Sequence, residues 1–323
     1  MRRMRRRQIL LASAAWAAVP CALAQRPGRV YRVGVLFNGG SSVWGPYRTA
    51  LLERLAQHGF VEGTNLEMLW RGGIGVQHED RDTARQLVDA RPDALVTYGT
   101  SITQAAQWAT KTIPIVFSEI GDPVADGIVK EYAHPGANVT GVADRRSELL
   151  AKRFELLREL APKAKRVVYV TPGYSFTAES AASASLVRQA AARLGFELIE
   201  VLRGQLQEIE EKRAEALLVF SGSGQRFSAQ ELIDGAVKLR IPCIFETADY
   251  VASGGLASYG ADPIEDTRLA TDQLVRVLKG ARPGDVPVDQ SARFVLAINL
   301  RTARAIGLTV PQSIMLRADQ VIE

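Results

Sequence analysis

The sequence predicts an α/β protein in which mostly parallel sheets are covered on both faces, arranged as two halves of one plan. Three observations carry this. Short β-branched apolar runs alternate with amphipathic segments of helical period. The runs are nearly continuous in apolar character, as expected of strands buried on both sides. Each half repeats the order strand, loop, long helix, Gly-Phe, strand, with Gly59-Phe60 in the first and Gly195-Phe196 in the second. At 323 residues the chain has room for two cores.

Taken in order, strands are expected at 30–37, 66–70, 94–98, 113–117 and 139–142, with helices at 47–58 and 81–89 between them. A helix at 148–160 opens the second series, followed by strands at 166–170, 197–202, 216–220 and 242–245 and a helix at 178–194. Along that last helix Ala182, Leu186, Ala190 and Leu194 recur every four residues, a predicted core-facing stripe. Gly59 and Gly195 each stand just past a helix, where a left-handed cap is wanted. The tail departs from the two halves: strand 256–259, helix 263–279, a turn-rich link over 280–287, strand 294–298 and a short helix at 300–306 capped by Gly307. Each unit is too small to bury its own face and must join an existing sheet. Divided between the halves, these units carry the chain across more than once and make a hinge of several strands.

Residues 1–24 read as a secretory leader. Arg2, Arg3, Arg5, Arg6 and Arg7 precede an apolar stretch over 9–19, and Ala22-Leu23-Ala24 supplies the small residues a signal peptidase reads, so the mature chain is expected to begin at Gln25. Arg6-Arg7 also fits the loose twin-arginine pattern. Cys21 raises the question of lipid attachment, but Pro20 directly before it fits poorly, and a soluble mature protein in the periplasm is expected. The formal net charge of +5 comes from this leader: without it 35 basic residues face 35 acidic ones. A basic surface is excluded as an average property, though not as a local patch, and no nucleic-acid partner is expected.

Beyond the leader Cys243 is the one cysteine, expected to be an inert buried thiol in the apolar run 241–245. His58, His78 and His134 are scattered, and no Cys/His spacing suggests a metal. No phosphate-binding G-x-x-x-x-G-K-[ST] occurs, and Gly222-Ser223-Gly224 lacks the third glycine of a dinucleotide loop. There is no G-x-S-x-G elbow and no histidine at a strand end to act as a base. No cofactor and no catalysis are expected.

The informative residues stand at the carboxyl ends of the strands, where open α/β sheets bind ligands. The first half offers Asn38, Gly39 and Ser41, then Tyr98, Gly99, Thr100 and Ser101, then Ser118 and Asp122 in the loop 118–122. The second offers Thr171, Tyr174 and Ser175, then Ser221 and Ser223, then Glu246 and Tyr250 in the loop 246–250. Small residues let backbone N–H groups approach a ligand, hydroxyls add adjustable donors and acceptors, and the helix N-termini that follow favour an anion. Asp122-Pro123 reads equally well as a local cap. Trp44, Tyr98, Tyr174, Phe227 and Tyr250 either stack on a flat ligand or pack internally. Asn138-Val139-Thr140 matches a glycosylation acceptor, but its strand position favours a structural role.

Several motifs occur together and in order: Gly121-Asp122-Pro123-Val124, His134-Pro135-Gly136-Ala137-Asn138-Val139-Thr140-Gly141, and Gly254-Gly255-Leu256-Ala257-Ser258-Tyr259-Gly260. The tail adds Leu278-Lys279-Gly280, Pro287-Val288, Ile298-Asn299-Leu300, Ala305-Ile306-Gly307-Leu308 and Ala318-Asp319-Gln320-Val321-Ile322-Glu323. Over nearly all of the mature chain this set resembles the family of ABC-transporter substrate-binding proteins of the tryptophan/tyrosine transport type. The resemblance implies a type I periplasmic binding protein fold, with two Rossmann-like lobes joined by a three-segment hinge. Lobe 1 is then expected over 29–142 plus about 259–288, and lobe 2 over 143–258 plus about 289–323. It implies closure on a small polar or amino-acid-like ligand, aromatic ones included, and delivery by a monomer to an ABC permease in the inner membrane. Under that reading Thr100, Ser101 and neighbouring N–H groups hold a carboxylate. Glu246 either reaches an ammonium from the other lobe, as in similar amino-acid binders, or stands as a solvent-exposed loop residue. Ala137 departs from the family's repeated glycine, and the segment 204–213 is shorter than the usual helix there. A ligand-sensing module for a membrane receptor would use the same fold, and a partner pull-down separates the two.

Overall fold

The computed structural model describes residues 28–38, 44–73, 77–146, 148–171, 178–202, 206–219 and 229–323. The first series is β1 (Tyr31–Asn38), α1 (Gly45–Gln57), β2 (Leu66–Gly73), α2 (Gln77–Asp89), β3 (Ala94–Tyr98), α3 (Thr100–Ala109), β4 (Ile115–Ile120) and β5 (Val139–Ala143). The second is α4 (Leu150–Leu160), β6 (Arg166–Thr171), α5 (Ala178–Arg193), β7 (Glu197–Leu202), α6 (Leu206–Glu211), β8 (Ala216–Val219), α7 (Ala229–Leu239), β9 (Cys243–Phe245) and α8 (Ala248–Ala252). The tail runs β10 (Ala257–Ala261), α9 (Pro263–Leu278), β11 (Asp289–Gln290), β12 (Phe294–Asn299), α10 (Leu300–Ile306), α11 (Gln312–Met315) and β13 (Gln320–Ile322).

The strands form two sheets, as the alternating pattern predicts. One has the order β11-β5-β4-β3-β1-β2, the other β13-β12-β10-β9-β8-β6-β7. All pairings are parallel except β10 with β12. Both faces of the first sheet are covered. Val33, Val35 and Val96 pack with Leu51 and Leu55 of α1 and Leu274 of α9, while Leu36 and Leu95 meet Leu87 of α2 and Ile102 of α3. This two-sided burial is why the strands read as unbroken apolar runs, each fully buried aliphatic side chain being worth roughly 1.5–3 kcal/mol. Gly59 and Gly195 do take left-handed φ values, 85° and 71°, past their helices.

The chain passes between the sheets three times: from β5 into α4, from β10 into α9, and from β11 into β12. Two of these passages lie later than the expected boundaries. β10 stays in the second sheet to Ala261, so the second passage falls at Asp262 and not at about 259. β11 pairs Asp289 with Val142 of β5, which moves the third from about 288 to 291–293.

Two local expectations are corrected and a third, the structural role of Asn138-Val139-Thr140, holds. β4 does not end at Phe117; it continues to Ile120 through a register shift between Phe117 and Ile120 against β5. The stripe on α5 is displaced, because Leu186 is 45% exposed while Val187, Ala190 and Ala191 are buried. Steps of four residues advance about 400°, so such a stripe drifts off one face by about 40° per step. Asn138-Val139-Thr140 is internal: Asn138 Nδ2 donates to the Ile113 carbonyl (2.7 Å) and Thr140 Oγ1 to that of Val286 (2.8 Å). Among the described residues of 204–213 the helix is the six-residue α6.

Candidate functional site

The carboxyl ends of β3 and β4 and the start of α3 belong to the half built on the first sheet, the end of β9 with α8 to the second, and the charge of Asp249 on α8 acts on Glu119 and Tyr47 of the first. At the end of β3, Tyr98 is buried in an aromatic cluster, its ring 4.9 Å from Trp44 and 5.7 Å from Tyr47, with Phe37 4.8 Å from Trp44. The Tyr98 hydroxyl is hydrogen-bonded to Thr267 of α9, and burial pushes its phenol well above the ordinary range. Gly99 follows with φ 97°, its N–H donating to the Ser118 carbonyl (2.9 Å). Gly99, at the N-cap of α3, makes no side-chain cap. Helix N-termini are the places in a fold that favour an anion. Thr100 is partly engaged already, its Oγ1 donating to Asp126 (2.9 Å).

On β4, Ser118 is fully buried and its hydroxyl has no partner among the described residues. The next residue, Glu119, has φ 58° inside the register shift. Such backbone in a non-glycine residue costs about 1–3 kcal/mol and recurs at ligand sites. The Glu119 carboxylate accepts from the Tyr47 hydroxyl. Burial pushes its pKa up, against the pull of Arg146. Arg146 is itself held by Asp144, with Nε 2.8 Å from Oδ2, and donates through Nη2 to the Glu119 carbonyl (2.7 Å). Asp122, offered as a ligand residue, instead caps its own turn by accepting from Val124 N (3.1 Å) and Ala125 N (3.0 Å). Capping, the local alternative, is what the side chain does.

From the second sheet, Glu246 is neither a solvent-exposed loop residue nor a free carboxylate. It is 4% exposed, and its Oε1 accepts from Arg153 Nη1 at 3.1 Å. The partner lies 93 residues away on α4, which no local pattern reveals. Tyr250 stacks on Phe245, with ring centroids 5.1 Å apart and planes at 14°. Asp249 is exposed at the start of α8, and its charge reaches Glu119 and Tyr47 of the other half. Desolvation and then Asp262 raise its pKa.

The three passages meet around Ser291. Ser291 donates from its N–H to the Ala143 carbonyl (2.9 Å) and from Oγ to Asp266 Oδ2 (2.5 Å). Asp266, on the first turns of α9, is 2% exposed; burial pushes its carboxyl up to about 7. Asp262 caps α9 through Ile264 N (3.1 Å) and Glu265 N (3.2 Å).

The structure thus brings Tyr98, Gly99, Thr100, Ser101 and Ser118 together, engages Asp122 Oδ1 in its own turn, and places Glu246 and Tyr250 just past the end of β9 in the second half. Gly39, Ser41, Tyr174, Ser175, Ser221, Ser223 and Phe227 lie outside the described residues, as do the side chains of Asn38 and Thr171. The sequence reading did not single out Tyr47, Arg146 or Arg153, nor rank Glu119 and Asp249 among the ligand contacts. For Glu119 and Asp249 the signal was their place in strand-end loops; for the others there was none. Cys243 is 1% exposed and burial raises its thiol, as expected of an inert side chain. Among the described residues no group of three or more His, Cys, Asp and Glu side chains could hold a metal ion. Nor is any helix among them long and apolar enough to cross a membrane.

Comparison with known proteins adds the following. A family model described as ABC transporter substrate binding protein matches residues 46–322. A tyrosine-binding protein from Clostridioides difficile is 27% identical over 271 residues, covering 81% of this chain and 76% of that protein. A conserved domain protein from Vibrio cholerae superposes with a TM-score of 0.84 at 29% identity, over 91% of this chain and all of the other. An ABC domain from Streptococcus pneumoniae in complex with L-Trp gives 0.81 at 25% identity, with 91% of this chain and 100% of that one covered.

Proposed function

The chain belongs to the family of ABC transporter substrate-binding proteins, and from that premise we propose that it captures an aromatic α-amino acid between its two lobes for a membrane permease. One observation carries the reading: an uncapped helix N-terminus at Gly99–Thr100 stands beside the aromatic cluster of Trp44, Tyr47 and Tyr98. The helix end suits a carboxylate, and the ring cluster suits a flat apolar side chain. Glu119 and Asp249, carboxylates from opposite lobes, supply the ammonium side, the part first offered to Glu246. The L-Trp complex and the tyrosine-binding relative support the same chemical class.

The two sheets act as lobes that close on the ligand, with the passages at 143–150, 261–263 and 290–294 as the hinge. Closure is a two-state change, biased by contacts the ligand makes to both sides. The arginine-rich, apolar first 24 residues direct export, and the mature protein works as a soluble monomer in the periplasm. It is a binder without catalysis of its own.

A thermal-shift screen over L-tryptophan, L-tyrosine, aliphatic amino acids and sugars tests the proposal. A ligand at one hundred times its Kd stabilises by about 2.7 kcal/mol, so the aromatic amino acids are expected to raise Tm clearly. A screen in which sugars or aliphatic amino acids shift Tm and the aromatic ones do not overturns it.

A further inference from the structure

Arg153 is a fully internal cation in a lobe that has no obvious need of one. It lies on α4, the first helix after the first passage, and is 1% exposed. Its Nε donates to the Tyr259 carbonyl on β10 (2.7 Å), and its Nη1 to Glu246 at the end of β9 (3.1 Å). One planar fork therefore joins three pieces of chain. These are the helix that follows the first passage, the strand that feeds the second, and the loop that leads to Asp249 and Tyr250. Gly260 makes room for this junction: a Cβ there would meet the Glu246 carbonyl and stand 3.4 Å from Arg153 Nη2.

A buried ion pair is a poor source of stability. Its desolvation cost is large, and an apolar pair of similar volume does as well or better. What the fork provides is geometry, since guanidinium donors fix direction as well as distance. We infer that Arg153 is a positioning residue for ligand capture, holding Glu246 and thereby the 246–250 loop at a set angle to the hinge. It does not touch the ligand. This rests on the binding reading above, because only a ligand-facing loop makes that angle matter.

The test separates position from stability. Arg153→Met and Glu246→Leu each break the buried pair from one side and are expected to lower Tm strongly. The double variant Arg153→Met/Glu246→Leu removes both charges and is expected to melt within a few degrees of wild type, yet to bind L-tryptophan or L-tyrosine at least about tenfold more weakly by calorimetry. A second variant, Arg153→Lys, keeps the charge and loses the fork. It is expected to bind about fivefold or more weakly, mostly through faster dissociation. Gly260→Ala disturbs the same junction from the other side and is expected to act in the same direction. Wild-type affinity in a folded double variant, or in Arg153→Lys, overturns the inference. Wild-type protein that binds neither amino acid instead overturns the reading on which it rests.

Discussion

Asp266 shows how one residue can make the stability of the whole chain depend on pH. Its carboxyl titrates near 7 in the folded protein, against an ordinary value of 3.8. Between those values the native state holds a proton that the unfolded chain has released, so stability falls as pH rises through this window. The shift corresponds to roughly 4 kcal/mol. Asp266→Asn removes the titration: in thermal melts the variant is expected to match wild type near about pH 3, below the ordinary carboxyl value, and to exceed it by a growing margin up to about pH 8, where the wild-type carboxylate is charged and buried. Parallel curves for the two proteins would contradict this. Ser118 makes a smaller, opposite point. Its hydroxyl is buried without a partner among the described residues, so Ser118→Ala is expected to raise stability by about 1 kcal/mol in denaturant titration. Neither property was legible in the sequence. A serine before a glutamate at a strand end is commonplace, and the fact that decides Ser118 is burial beneath distant elements. The burial of Glu246 was missed for the same reason, since its partner Arg153 lies far off in the sequence on α4.

Elements were legible where period and punctuation agreed. The first strand, the helix after Pro263 and the Gly-Phe caps lie close to where the pattern puts them. α5 was placed correctly, and its predicted stripe holds at Ala190 and Leu194 but fails at Leu186, because a string of every-fourth residues drifts off one face. The corrected face predicts two contrasting outcomes. Val187→Ala is expected to cost roughly 2 kcal/mol, since it opens space at a buried position. Leu186→Lys is expected to change stability by less than about 0.5 kcal/mol, since that side chain already faces water. Chemical denaturation of both variants checks the pair together, and equal losses would restore the original stripe. β4 failed differently. Its extension through Glu119 depends on a left-handed φ in a non-glycine residue. Propensity argues against such a conformation, and tertiary context alone sustains it.

For the whole molecule, three passages mean that neither lobe is continuous in sequence. The first sheet's core needs Ala270 and Leu274 of α9 packed on Leu51 and Leu55, and its edge needs β11. A fragment ending after β5 is therefore expected to lack a cooperative melt by circular dichroism, whereas the chain from residue 28 to 323 melts cooperatively. A sharp transition in the fragment would show that the return segments are dispensable. The repeated crossing was foreseeable from a tail of units too small to stand alone, but not the place of each passage, which depends on pairings two or three residues long. The knot of hydrogen bonds at Ser291, which pins all three passages, has a last consequence. Under the proposed closure, side-by-side connections of this kind would leave the two halves one axis, swinging like a door on its jamb instead of rolling like a ball joint. A docking machine that grips both halves would then read one angle only, and discrimination among solutes would have to be finished before that surface is presented.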